Sequence, residues 1–276
     1  MTIEAYAKIN LTLEVLGRRD DGYHDLRSVV VPVSLADTLE IEVRDGLSCD
    51  SGFEGDLCLK AADALAQACG VDRGAEIHVE KRIPVGGGMG GGSADAAAVL
   101  VALNDLWELK LPSDELAAVA ARVGSDVPAL VTGGAVVMEG RGERVCRIEP
   151  QPPPLELVVV NPGVFCSTRE VYANAKAHLP ERPDILYNML QALRRGRYDE
   201  IAAATVNDLG AAAAELHPEI AVAMDALKAS GALGVTVSGS GSTVFGLVPT
   251  RARGCEIAAL MESRGFWARS VRTIVR

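Results

Sequence analysis

Polar and apolar positions alternate in the first segment of the chain. Ile9, Leu11, Leu13 and Val15 fall on one side; Lys8, Asn10, Thr12 and Glu14 fall on the other. A period of two predicts a half-buried strand with Lys8 and Asn10 on its polar face. Asp20-Asp21-Gly22 marks a turn. Leu39, Ile41 and Val43 alternate with Glu40 and Glu42, and Ile77 and Val79 with Glu76, His78 and Glu80, giving two more strands. Between them Leu57, Ala61, Ala64, Leu65 and Ala68 recur at helical spacing. A helix is expected from 93 to about 107, and another from a Ser113 N-cap to about 122, with Asp114 and Glu115 in its first turn. The run Pro150-Gln151-Pro152-Pro153-Pro154 cannot hold regular structure, so it is the expected boundary between domains at 1–150 and 155–276. Beyond it, a buried strand is expected at 155–160 and alanine-rich helices over 184–194, 199–214 and 218–229. Strands at 235–237 and 243–248 flank a loop of small residues, and a helix at 253–263 and a strand at 270–275 close the chain. The mixture of strands and helices without strict alternation favours an α+β fold.

Composition narrows the class. A chain of 276 residues suggests about two domains at roughly 150 residues each, and 49 % hydrophobic residues suffice for a core. The longest clean apolar stretch, 96–103, falls far short of the roughly 20 residues of a membrane span. Met1-Thr2-Ile3-Glu4 lacks a basic n-region, so no signal peptide is expected. A net charge of −10 argues against nucleic acid or anionic membrane as partners. Cysteines 49, 58, 69, 146, 166 and 255 form no Cys-x-x-Cys pair, and histidines 24, 78, 178 and 217 form no metal-binding pattern. The scattered thiols fit a reducing cytoplasm, and no side-chain metal ligand is assigned.

The stretch Pro84-Val85-Gly86-Gly87-Gly88-Met89-Gly90-Gly91-Gly92-Ser93-Ala94-Asp95 carries the chemistry, with six glycines in seven positions. Glycine costs backbone entropy, so this density needs a reason. Without Cβ atoms, backbone N–H groups can converge on a phosphate, and the following helix adds its positive dipole end. A flexible linker is the bland alternative, but the loop sits between a strand and a strongly apolar helix. The match to the dinucleotide pattern G-x-G-x-x-G fails in context: the acidic residue about 20 positions on, Asp105, lies in or at the end of the same helix. A Walker A loop would need a lysine before Ser93.

A different pattern succeeds. The glycine stretch, Ala5-Tyr6-Ala7-Lys8-Ile9-Asn10-Leu11 and Val237-Ser238-Gly239-Ser240-Gly241-Ser242-Thr243 together resemble, in order, the three motifs of the GHMP kinase superfamily. With Asp21-Gly22-Tyr23-His24 and Gly124-Ser125-Asp126-Val127-Pro128, the resemblance narrows to one branch. That branch phosphorylates the 2-hydroxyl of a cytidine-diphosphate-linked methylerythritol in the non-mevalonate isoprenoid precursor pathway. Met89 stands where leucine is more usual, a nearly volume-conserving change expected to be harmless.

The resemblance implies a two-domain GHMP kinase fold, with an N-terminal ribosomal-protein-S5-domain-2-like part and a C-terminal ferredoxin-like α/β sandwich. It implies ATP as co-substrate with Mg²⁺, and Pro84, Val85, Gly86, Gly87, Gly88, Met89, Gly90, Gly91, Gly92, Ser93 and Ala94 as the ATP loop. It implies Asp126 as general base and Lys8 as its charge partner; the bland readings are a helix N-cap and a solvated lysine. Ser93 either touches phosphate or the Mg²⁺ shell, or caps its helix. Asn10 is expected to orient Lys8 or substrate. Tyr23, His24 and Tyr172 are expected to form a slot for cytosine, although Asp-Gly is also an ordinary hairpin turn. Ser238, Gly239 and Ser240 are expected at a phosphate, the alternative being a plain turn. Asn207-Asp208 is read as packing, and His78, His178 and His217 as surface or core residues. The competing functions are a homoserine or mevalonate kinase, a nucleotide-binding module without transfer and, more distantly, a dinucleotide oxidoreductase.

Overall fold

A computed structural model describes residues 1–51, 56–175 and 184–275. The strands are β1 (Thr2–Arg18), β2 (His24–Arg44), β3 (Leu47–Cys49), β4 (Gly74–Glu80), β5 (Val136–Gly140), β6 (Arg144–Arg147), β7 (Glu156–Asn161), β8 (Val206–Asn207), β9 (Leu233–Val237), β10 (Val244–Val248) and β11 (Trp267–Arg272). The helices are α1 (Leu57–Cys69), α2 (Gly91–Leu106), α3 (Ser113–Ala120), α4 (Val127–Thr132), α5 (Thr168–Asn174), α6 (Ile185–Arg195), α7 (Tyr198–Ala204), α8 (Gly210–Leu216), α9 (Pro218–Ala229) and α10 (Arg251–Ser263). One sheet runs β3-β4-β2-β1-β8, with the β5–β6 hairpin added on β2; the other runs β11-β7-β10-β9. The long β2 serves two partners, pairing β5 through Leu26–Val30 and β4 through Thr38–Arg44.

The first strand is not half-buried as its alternation predicts. Lys8, Asn10, Thr12 and Glu14 are as buried as Ile9 and Leu11. The polar face looks not at water but into the junction with the second half of the chain. The register shifts between Asn10 and Thr12, and such a bulge breaks the period of two. Ile9 and Leu11 therefore belong to the main core, whereas Leu13 packs with Val158, Val160 and Ile220 in a second one. The main core itself takes Leu157, Val159, Phe245 and Leu247 from beyond Pro154.

Two further expectations are corrected. The helix predicted over 199–214 is two helices, α7 and α8, separated by β8, which adds in parallel to β1 through Thr12 and Leu13. Alanine content alone could not show that Asn207 and Asp208 have partners on other elements. Ser113 is the first residue of α3, and Pro112 takes the cap position. The β5–β6 hairpin, β3, α4 and α5 are not anticipated by the periodicity.

The glycine loop leads into α2, whose apolar residues Ala94, Ala97, Val99, Leu100 and Leu103 are buried. The helix begins at Gly91 rather than at Ser93, with Gly90 at the cap in a left-handed conformation (φ 68°). No helix among the described residues is long and apolar enough to cross a membrane.

Candidate active site

Lys8 comes from the bulged part of β1, and its backbone N–H donates to Met89 O (2.9 Å), which fastens the strand to the glycine loop. Met89 is itself buried in the main core, as a leucine replacement would be. The Lys8 ammonium donates to Asn10 Oδ1 (2.8 Å) and lies 3.3 Å from Asp126 Oδ2. Asn10 Nδ2 donates to Ser28 Oγ (2.8 Å), which donates in turn to Thr12 O (2.5 Å). The chain of bonds fixes the amide so that its oxygen faces the lysine. Asp126 stands just before α4 but makes no side-chain cap bond. Its carboxylate instead turns to Lys8, and its side chain is 30 % exposed where that of Lys8 is 4 % exposed. The pair thus presents a carboxylate to the cleft on a buried ammonium.

The glycine loop and the loop between β9 and β10 are in contact. A Cβ at Gly88 would stand 2.1 Å from Ser238 O, and one at Gly87 would stand 2.7 Å from Thr243 Oγ1. Ser238 Oγ donates to Gly88 O (3.0 Å) and Thr243 N to Gly87 O (3.0 Å). The glycines at 87 and 88 are therefore demanded by the second loop, a use that phosphate approach alone does not reveal. Gly90 differs, since its Cβ would meet the flexible Lys8 side chain at 3.0 Å. A Cβ at Gly92 would make only ordinary contact with Leu57 Cδ1 (3.6 Å), and Ser93 lies in the first turn of α2. The first N–H groups of that helix have no intrahelical acceptor and present a positive end there.

The second loop is held from three sides. Asn207 Nδ2 donates to Val237 O (2.9 Å) and Gly239 O (2.7 Å). Asn161 Nδ2 donates to Thr243 Oγ1 (2.9 Å), and Ser240 Oγ shares a hydrogen bond with Thr168 Oγ1 (2.9 Å). A Cβ at Gly239 would stand 3.3 Å from Lys8 Nζ, so this loop lies over the lysine. Asp208 Oδ2 accepts from Val15 N (2.9 Å), so Asn207-Asp208 ties the second half of the chain to β1 and to this loop.

The aromatic residues are arranged differently from a pair of rings at 23 and 172. His24 and Tyr172 stack on each other with ring centroids 5.1 Å apart and planes 30° off parallel. That separation leaves no room for a third ring between them. Tyr23 is 55 % exposed and lies under the Arg141 guanidinium (5.0 Å to the ring centroid). Burial, reinforced by Arg18, holds the His24 imidazolium below its ordinary range, which favours a neutral ring with one donor and one acceptor nitrogen. Burial and the Asp126 carboxylate together push the Tyr172 hydroxyl up, which puts Tyr172 within electrostatic reach of Asp126. His78 is exposed and pairs with Asp50 (2.7 Å), and His217 precedes α9. His178 lies outside the described residues.

Residues 56–134 match the family model described as GHMP kinases N terminal domain, and residues 189–264 match GHMP kinases C terminal. A 4-diphosphocytidyl-2-C-methyl-D-erythritol kinase of Symbiobacterium thermophilum is 43 % identical, with 100 % of both chains covered. It belongs to the 4-diphosphocytidyl-2-C-methyl-D-erythritol kinase family of GHMP kinases. A second member of this kinase family, from Bacillus cytotoxicus, is 41 % identical over 90 % of this chain and 88 % of its own. The crystal structure of a 4-(cytidine 5'-diphospho)-2C-methyl-D-erythritol kinase superposes with a TM-score of 0.85 at 35 % identity, covering 99 % of each chain. Homoserine kinase from Cytophaga hutchinsonii gives a TM-score of 0.77 at 17 % identity over 100 % of this chain and 94 % of its own, a likeness of fold alone. Membership in the GHMP kinases makes ATP the co-substrate.

The sequence reasoning missed a second charged cluster beside the loop. Lys81 Nζ donates to Asp37 and Asp95 (2.6 Å to Asp95 Oδ2), and Asp37 Oδ1 also accepts from Ile83 N (2.8 Å). Asp37 and Asp95 are buried, and Asp95 Oδ1 has no hydrogen-bond partner. Burial pushes the Asp95 carboxyl up to about 7, against the pull of Lys81. Burial would lower the Lys81 ammonium, but the two carboxylates hold it above its ordinary range. A lone Asp within the apolar alternation of β2 was the available signal. Asn161 left none, because its partners lie about 80 residues away.

Proposed function

We propose that this kinase transfers the γ-phosphoryl group of ATP to the 2-hydroxyl of 4-diphosphocytidyl-2-C-methyl-D-erythritol. The supporting observation is the Lys8–Asp126 pair at 3.3 Å, set where the glycine loop and the 238–243 loop meet. In this reading Asp126 accepts the proton of the attacking hydroxyl. Lys8, fixed by Asn10 and the Met89 carbonyl, orients that carboxylate and offsets the charge growing on the transferred oxygens. The N-terminus of α2, with Pro84 to Ala94, receives the triphosphate. Mg²⁺ fits this donor set. Ser93 offers a hard hydroxyl oxygen, and Mg²⁺ ordinarily takes its remaining ligands from phosphates and water. When bound, the ion would neutralise phosphate charge.

His24 and Tyr172 carry the reading of cytosine. The stacked pair presents one outer ring face to a base, and the neutral imidazole can both donate to and accept from the base edge. In this reading Tyr23, next to His24 in the chain and held under Arg141, lies at the rim of the base site. Gly239 sits over Lys8, and in this reading the loop of Ser238, Gly239 and Ser240 receives a phosphate of either substrate. Residues 1–150 then form the ATP-loop and catalytic domain and 155–276 the C-terminal domain, in a cytoplasmic enzyme. ATP consumption measured against a panel of alcohols tests the whole reading. The cytidine-diphosphate substrate is expected to exceed homoserine and mevalonate in kcat/KM; a better rate with either simple alcohol would overturn the acceptor assignment.

A further inference from the structure

We propose that Cys49, Asp56 and Cys58 form a binding site for a thiophilic divalent cation of the Zn²⁺ class. Cys49 ends the short strand β3, Asp56 is the N-cap of α1, and Cys58 lies in the first turn of that helix. Their ligand atoms, two sulfurs and a carboxylate oxygen, all lie within 4.8 Å of one another. In a tetrahedral zinc site with Zn–S of about 2.3 Å, neighbouring ligand sulfurs are roughly 3.8 Å apart. Closing this group onto a metal therefore requires movement of at most about 1 Å. It is the one such constellation among the described residues. Both thiols are free.

The carboxylate is already oriented. Asp56 Oδ1 accepts from Cys58 N (2.7 Å), and Ser51 Oγ donates to Asp56 Oδ2. Hydrogen bonds of this kind hold a metal ligand in one direction. Two soft sulfurs with one oxygen select Zn²⁺ or its relatives over Mg²⁺ and Ca²⁺, which take oxygen ligands. Three protein ligands leave the fourth tetrahedral position to water. The bound ion would pin the end of β3 to the start of α1. Eight residues separate the two cysteines, so no metal-binding spacing is visible in the sequence; the fold makes the site.

The test needs no nucleotide and does not depend on the kinase reading. Metal-free protein, reduced with a phosphine, is titrated with Co²⁺ and then Zn²⁺. The expected result is one equivalent of cobalt per chain with a thiolate-to-metal charge-transfer band, bleached by one equivalent of Zn²⁺. Cys49→Ser, at a half-buried position that tolerates the change, should weaken binding by more than the roughly 10–100-fold that loss of a supporting hydrogen bond costs. Asp56→Asn should weaken it as well. A variant lacking the exposed thiols, Cys146→Ser with Cys255→Ser, should bind like the parent. No band, a band that survives Cys49→Ser, or one lost in the exposed-thiol variant would each overturn the site. So would a count of four thiols rather than six in unreduced protein, since Cys49 and Cys58 would then be a disulfide.

Discussion

Two lysines beside the glycine loop are set against carboxylates in contrasting ways. Lys8 meets one carboxylate, Asp126, which is partly open to the cleft. Lys81 meets two, Asp37 and Asp95, both buried. The first pair is balanced in charge, and its acid is partly exposed. The second carries one negative charge too many, in a place without solvent. Asp37 meets this with backbone N–H donors from Arg82 and Ile83; Asp95 leaves an oxygen without a partner. Desolvation of a charge is costly unless partners compensate. The two clusters therefore differ in kind: in the proposed reading Lys8–Asp126 serves the chemistry, whereas Lys81–Asp37–Asp95 clamps the end of the β4 segment to β2 and α2.

The largest expected effect separates them by turnover. Asp126→Asn keeps shape and removes proton acceptance, so kcat should fall by roughly 10²-fold or more, the scale of general-base loss. Because Asp126 caps nothing and is partly exposed, the thermal midpoint should move little. Near-parental turnover in the folded variant would abolish the distinction between the clusters.

The next effect reverses the pattern. Asp37→Ala leaves the buried N–H of Ile83 and the part-buried N–H of Arg82 unpaired and removes a buried carboxylate from its ion pair with Lys81, which costs about 3–5 kcal/mol. At about 2–4 °C per kcal/mol for a chain of this size class, the midpoint should drop by roughly 6–20 °C. Turnover per folded molecule should fall far less than in Asp126→Asn. A variant as stable as the parent would show that the clamp is dispensable.

The smallest effect is a pH dependence confined to the second cluster. Burial pushes the Asp95 carboxyl up to about 7 in the fold, against 3.8 for an ordinary aspartate. Between those values the folded chain holds a proton that the unfolded chain has lost, so Asp95 makes stability fall as pH rises through that window. Its contribution is fully present below about 4 and gone above about 7. Asp95→Asn should flatten this part of the stability profile and raise the midpoint by a few degrees at pH 8, read from melts at several pH values. An unchanged slope would mean that Lys81 already keeps Asp95 ionised.

The sequence was read most fully where one element carries the information by itself. The run of glycines before an apolar helix, the alternation around Lys8 and the Asp126 segment were each visible, and the family pattern they formed agrees with the relatives. Reading failed where a residue's role depends on what lies across from it. The alternation around Lys8 predicts a half-buried strand, but its polar face is buried too, because alternation reports two faces and not what covers them. His24 and Tyr172 were placed near one base, but their mutual stacking could not be read from positions 148 residues apart.

The amino-acid sequence by itself determined the longer elements and the residue types available for phosphoryl transfer, because backbone propensity, periodicity and glycine's lack of a Cβ act over a few neighbours. Tertiary structure decided how those residues are used. It made Gly87 and Gly88 obligatory through contact with the 238–243 loop, turned Asp126 from a cap toward Lys8, and left Asp95 short of a partner. Each of these depends on burial and on charges brought together across long stretches of chain. Desolvation and Coulomb attraction act through space, so they become definite only when the two halves of the molecule have closed on each other.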